Sequence, residues 1–121
     1  MIKIKKEDFN VLIAKRDKIM DEDWKTFIAQ KKPYINKGDR VKFKGFLNNF
    51  YGKFMEVYFN DMLYYVNESD FEGNYYTVKR VELPCFDPLK RYGYIATDRY
   101  GIKYRFEETE TEYVLLSRDE C

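Results

Sequence analysis

The chain contains no histidine. That removes the commonest general base and a frequent metal ligand together. Acid–base work would fall to carboxylates, which occur in runs: Asp21-Glu22-Asp23, then Glu68, Asp70 and Glu72, then Glu107, Glu108, Glu110 and Glu112. A carboxylate that acts as an acid needs an apolar pocket to raise its pKa. No apolar segment is written around these runs, and they read as solvated faces. Cys85 stands between Pro84 and Phe86 with no basic neighbour to favour its thiolate, so it reads as an inert thiol. No phosphate-cradling glycine motif and no cysteine cluster of metal-binding spacing occurs. The expectation is a non-enzymatic chain with no catalytic residue, cofactor or metal.

Binding chemistry is better supplied, because 12 tyrosines and 10 phenylalanines fall in 121 residues. Tyrosine offers a large contact area at small entropic cost and suits interfaces. One candidate surface for a protein partner joins Tyr51, Tyr58 and Tyr64 to Glu68, Asp70, Glu72, Glu108, Glu110 and Glu112. Those acids could imitate nucleic-acid phosphates towards a basic partner, or serve only solubility. The alternative surface is for nucleic acid and uses Lys42, Lys44 and Lys53, extended by Arg99, Lys103 and Arg105. Cations for phosphates beside rings for stacking, here Tyr51, Tyr58, Tyr64 and Tyr100, are what RNA or single strands require. With Lys+Arg at 22 and Asp+Glu at 21, the formal net charge is only +1. Nucleic-acid binders usually carry a clearer basic excess, so another protein is the favoured partner.

The residues that must position these groups centre on Lys37 to Glu72. Lys37-Gly38-Asp39 is a turn signal, and Arg40 to Lys44 alternates, placing Val41 and Phe43 on one face. Gly45 to Gly52 is polar and irregular enough to predict a folded-over loop carrying its own aromatic residues. Alternation resumes from Lys53 to Phe59, with Met55, Val57 and Phe59 sharing a face. Asn60-Asp61 predicts a two-residue hairpin turn, and Met62 to Val66 pairs back across it. Asn67 to Asp70 predicts one helical turn before Phe71 re-enters the core.

Ahead of this stretch, Ile2 and Ile4 permit an edge strand or a tail. Phe9, Leu12, Ile13, Met20, Trp24, Phe27 and Ile28 recur at spacings of three, four and seven, the stripe of an amphipathic helix. The expectation is helix, a break at Asp21-Glu22-Asp23, then helix, ending before Pro33. Trp24 is either core or, if exposed, an interaction anchor. Beyond the centre, Tyr75 to Leu83 predicts a long strand, and Pro84 to Pro88 breaks the chain. Leu89 to Tyr92 reads as a loose helical turn. Tyr94 to Thr97 and Ile102 to Phe106 predict a hairpin around Asp98 to Gly101, followed by an acidic loop from Glu107 to Glu112 and a last strand from Tyr113 to Leu116.

The wording GDRVKFKG, YGKFMEVYFND and YYVNESDFE resembles an SH3-like small barrel, including its KOW and Tudor-type relatives. The matching positions are Gly38, Asp39 and Val41, then Gly52, then Tyr65, Val66, Asp70, Phe71 and Glu72. The resemblance implies a barrel over about a third of the chain and leaves function open. The expected class is therefore mainly β (α+β), with a helical appendage over 1–35, the barrel over 36–83 and a hairpin extension over 84–121. Whether that extension completes the barrel or forms its own lobe stays open, as does monomer against homodimer. No apolar run approaches the roughly 20 residues that span a bilayer, and Lys3, Lys5 and Lys6 lead into no secretion signal. Two distant cysteines fit a cytoplasmic chain with free thiols. The Lys- and Tyr-rich, Ala-poor vocabulary resembles that of AT-rich bacteria and their phages. The most concrete expectation is a phage or mobile-element accessory protein that binds and inhibits a host or defence factor that handles nucleic acid.

Overall fold

Strand alternation governs far more of the chain than the sequence predicts. A computed structural model describes residues 1–82 and 92–117. The strands are β1 (Ile2–Lys5), β2 (Val11–Ala14), β3 (Arg40–Asn49), β4 (Gly52–Phe59), β5 (Met62–Val66), β6 (Phe71–Glu72), β7 (Tyr76–Glu82), β8 (Tyr92–Asp98), β9 (Lys103–Glu108) and β10 (Glu112–Ser117). They form two antiparallel five-stranded sheets, ordered β5-β4-β3-β2-β6 and β1-β10-β9-β8-β7. The protein is mainly β. It divides into two units, Asn10–Asn74 and Met1–Phe9 with the segment from Tyr75 onward. The second half thus builds a sheet of its own with β1, and the expected 1–35 appendage is shared between the units.

The N-terminal helix is a correction. Leu12 and Ala14 are buried while Ile13 between them is exposed, the period of two that a strand requires. Phe9 belongs to the other unit, where its ring packs on Tyr76, Phe106 and Tyr113. The apparent stripe therefore mixes residues of two separate cores. Among the described residues the one α-helix is α1 (Trp24–Ala29), capped by Asp23, whose Oδ1 accepts the Thr26 N–H at 3.4 Å and whose Oδ2 accepts the Thr26 hydroxyl at 2.8 Å.

In the Asn10–Asn74 unit, the segment 15–39 folds back on itself between β2 and β3. Ile19 and Ile35 exchange backbone hydrogen bonds of 2.8 and 3.0 Å, and both are buried. They join Leu12, Val41, Phe43, Met55, Val57, Tyr64, Val66 and Phe71 in the interior. The expected loop over Gly45 to Gly52 is instead the arm of a hairpin. A register shift between Phe43 and Gly45 lets β3 continue to Asn49, and only Phe50 and Tyr51 make the turn. The Asn60-Asp61 turn holds, with φ of 49° and 61°. So does the helical turn, a 3₁₀ segment over Glu68–Asp70 that delivers buried Phe71. Gly73 follows at φ 124°, where an added Cβ would lie 3.2 Å from the Val11 carbonyl oxygen.

In the other unit, Tyr76, Ala96 and Leu115 are buried beneath the Phe9 ring, with Ile4, Tyr104, Phe106 and Tyr113 packed around them. Ile2 and Ile4 form the edge strand of the two alternatives, pairing with Leu115 and Tyr113. The Asp98–Gly101 hairpin holds, with Gly101 at φ 86°. The acidic run is not one loop: β9 carries Glu107 and Glu108, β10 begins at Glu112, and Thr109 to Thr111 turn between them. The break from Pro84 to Pro88, Cys85, Cys121 and residues 89–91 of the helical turn expected over Leu89 to Tyr92 lie outside the described residues, and Tyr92 begins β8. No described helix is long and apolar enough to cross a membrane.

Candidate docking groove

One carboxylate organises the concave surface of the Asn10–Asn74 unit. Asp21 is buried, and its Oδ1 accepts the N–H groups of Asp23 and Tyr65, each at 3.0 Å. Its Oδ2 meets Lys32 Nζ at 2.6 Å. Lys32 also donates to the Leu63 carbonyl at 2.5 Å and lies 5.1 Å from the centre of the Tyr64 ring. The Glu22 N–H donates to the Tyr65 carbonyl at 2.8 Å. The segment Asp21–Asp23 is thereby tied along β5, and the start of α1 is fixed beside it.

Opposite stands the β3–β4 hairpin. Its arm projects because Leu47 and Phe54 pair across it. The space between holds about 630 Å³ and is lined by Glu22, Asp23, Trp24, Lys25, Leu47, Asn49, Tyr51, Phe54 and Tyr65. Such a volume is ordinary for a binding cleft. Trp24 is 56% exposed and Tyr51 84%, with Lys25 Nζ 5.9 Å from the centre of the Trp24 ring and the Phe50 ring edge-on to Tyr51 at 5.7 Å. At the hairpin tip Phe50 is 98% exposed. Thr26 holds the Asp23 carboxyl below the usual carboxylate range by donating to it from side chain and backbone, so Asp23 stays charged at the groove rim. Aromatic walls with a carboxylate rim suit an extended segment that carries apolar and cationic side chains.

Of the residues predicted for a protein partner, Tyr51 lines this groove. Tyr58 is partly exposed on β4, with Lys44 Nζ 5.7 Å from its ring centre. Tyr64 is a correction. It is fully buried, and its hydroxyl donates to the Pro33 carbonyl at 2.6 Å, because the β5 register sends Tyr64 and Val66 to the core face. Asp70 is occupied by Arg16, which donates from Nε and Nη2 at 2.9 and 3.0 Å. Hydrogen bonding to Asp70 raises the Arg16 pKa further. Glu68 is half-buried in the 3₁₀ turn, and Glu72 is exposed. Glu108 pairs with Lys6 at 2.6 Å, Glu110 is exposed and Glu112 is half-buried. The six acids fall three to each unit.

The basic set divides in the same way. Lys42 is exposed on β3, Lys44 Nζ lies 3.5 Å from Glu56, and Lys53 caps the Phe46 ring at 4.3 Å. The Tyr58 hydroxyl, with Glu56 behind it, raises the Lys44 pKa. In the other unit Arg99 lies over the rings of Tyr75 and Tyr100, Lys103 is exposed, and Arg105 pairs with Glu107 at 3.0 Å.

Sequence reasoning missed Glu22, Asp23, Leu47, Phe54 and Tyr65 as groove residues, and singled out Trp24 without its setting. The one local signal was a tryptophan directly after three acids. Among the described residues, no group of three or more His, Cys, Asp or Glu is placed to hold a metal ion. No protein-family model, curated protein or solved structure matches this chain.

Proposed function

We propose that this chain is a non-enzymatic protein-binding module whose groove, walled by Trp24, Tyr51, Phe54 and Tyr65, receives an extended segment of a partner protein. The observation that carries the reading is the exposure of Trp24 and Tyr51 in the lining of one cleft. Two large rings left in water at one concave site are hot-spot chemistry. The Glu22 and Asp23 carboxylates favour a segment with Lys or Arg beside its apolar anchors.

The same proposal reads Asn10–Asn74 as an SH3-like small barrel. Its support is the order of parts: first strand, long folded-back segment, three-stranded meander, 3₁₀ turn, and a last short strand returning to the first. The partner class is a host or defence protein that handles nucleic acid, met in the cytoplasm and inhibited by being bound. The Lys- and Tyr-rich vocabulary and the acidic runs support that class.

Selection from a displayed random-peptide library tests the groove. The expected outcome is enrichment of peptides that combine apolar anchors with Lys or Arg, and loss of their binding in Trp24→Ala and Tyr51→Ala. Enriched peptides that bind those variants as well as the parent would place docking elsewhere.

A further inference from the structure

The strand register of the Met1–Phe9 and Tyr75-onward unit gathers cations on the sheet face opposite the Phe9 core. Lys79, Ile95, Arg105 and Leu116 form one cross-strand row, and Thr77, Thr97 and Lys103 the next. Glu107, Val114 and Lys3 form a third row, and Glu112 pairs with Lys5 beyond it. Arg105 is matched by Glu107 at 3.0 Å, and Lys5 stands opposite Glu112. Lys3, Lys79 and Lys103 are exposed and make no ion pair with a described residue. Side chains two apart on a strand are separated by about 7 Å, and those two strands apart in one row by about 10 Å. By that count Lys79 and Lys103, two strands and one row apart, stand about 12 Å from each other, and Lys3, two strands and two rows from Lys103, about 17 Å from it, with Arg105 between the rows.

No aromatic side chain stands among the face residues of those rows. A surface that grips single strands adds rings on which bases stack. This one offers lysines and threonine hydroxyls beside the half-buried Ile95 and Leu116 and the buried Val114.

We infer that this face binds the phosphate backbone of duplex nucleic acid without reading its sequence. The claim is independent of the groove, which belongs to the other unit. Its carrier is charge complementarity: Lys3, Lys79 and Lys103, with no ion pair to a described residue, share one sheet face with Lys5 and Arg105 against two acids, Glu107 and Glu112. Phosphate contacts give affinity that depends on salt and not on base identity.

The test is fluorescence anisotropy of the full chain with a labelled random-sequence DNA duplex, a labelled oligothymidylate, and polyglutamate as competitor. The expected result is duplex binding at 50 mM salt that weakens about 40-fold by 200 mM, the slope for three phosphate contacts. K3Q/K79Q/K103Q abolishes binding with an unchanged melting temperature, while Trp24→Ala leaves it intact. The inference is overturned by absence of duplex binding at 50 mM salt, or by full binding in the triple variant. A tenfold preference for oligothymidylate, which marks base stacking, also overturns it. So does polyglutamate competing as well as unlabelled duplex, since the face would then suit an acidic protein.

Discussion

Lys32 Nζ lies 2.6 Å from Asp21 Oδ2, with only 2% and 1% of the two side chains exposed. The pair survives burial because each charge has further partners, Asp21 two backbone N–H groups and Lys32 the Leu63 carbonyl. Removing one partner strands the other charge in the interior, which costs about 3–5 kcal/mol. Lys32→Met is therefore expected to lower the denaturation midpoint sharply. In Asp21→Asn the retained oxygen can still accept from Asp23 and Tyr65, but the Lys32 charge is orphaned. Urea denaturation of each variant measures the loss, and a change below about 0.5 kcal/mol, the range of ordinary surface substitutions, would contradict it.

Alkaline pH acts on the cores of both units. Burial, with Asp21 nearby, pushes the Tyr64 hydroxyl up to about 12. Burial also raises Tyr76, with Tyr104 and Asp98 adding to it, and raises Tyr104, with Asp98 adding to it. A tyrosine whose folded pKa exceeds its unfolded value of about 10 holds a proton that the unfolded chain releases. Its stabilising effect is full below about pH 10 and is lost as pH rises towards 12. Stability is expected to fall across that window, and less steeply in Tyr64→Phe. Denaturation midpoints at pH 8, 10 and 11 for the two proteins check the sign.

The turn between β4 and β5 holds Asp61 at φ 61°, a left-handed conformation that costs a side chain but not glycine. Asp61→Gly makes the favoured Asn-Gly hairpin and is expected to stabilise by about 0.5–1 kcal/mol. A thermal melt that fell would mean that the Asp61 side chain makes a contact worth more than the backbone strain.

Groove and acidic faces make separable demands. Trp24→Ala removes an exposed ring, so it should leave the melting temperature within a degree or two and weaken partner affinity by about 2 kcal/mol, roughly 30-fold. Glu108→Gln, Glu110→Gln and Glu112→Gln together should change that affinity less than threefold, because none of the three lines the groove. Isothermal titration with a selected peptide gives both numbers.

Strand meanders were legible because turns announced them. Asn60-Asp61 and the Asp98–Gly101 hairpin are set by residues that take positive φ, and both hold; the Glu68–Asp70 turn, read from a capping-type run, holds as well. The N-terminal segment was not legible, since Phe9 and Leu12 have helical spacing yet serve different cores. The β3–β4 arm was missed because a strand that projects beyond its core has no reason to alternate, and Asn48 and Asn49 are exposed. Tyr64 has the outward look of its neighbours in composition, and only register sends it inside. The groove escaped notice for a similar reason. Its walls come from residues 22–25, 47–54 and 65, and the link among them is a buried carboxylate within a run that reads as solvated.

The most direct measurement of the central claim is site-specific photo-crosslinking in cells, with a benzophenone side chain placed singly at Tyr51, Tyr58 and Glu110. The account predicts one crosslinked protein from position 51, lost when Trp24→Ala is added, and none from position 110. A partner captured from 110 but not from 51 would contradict docking in the groove.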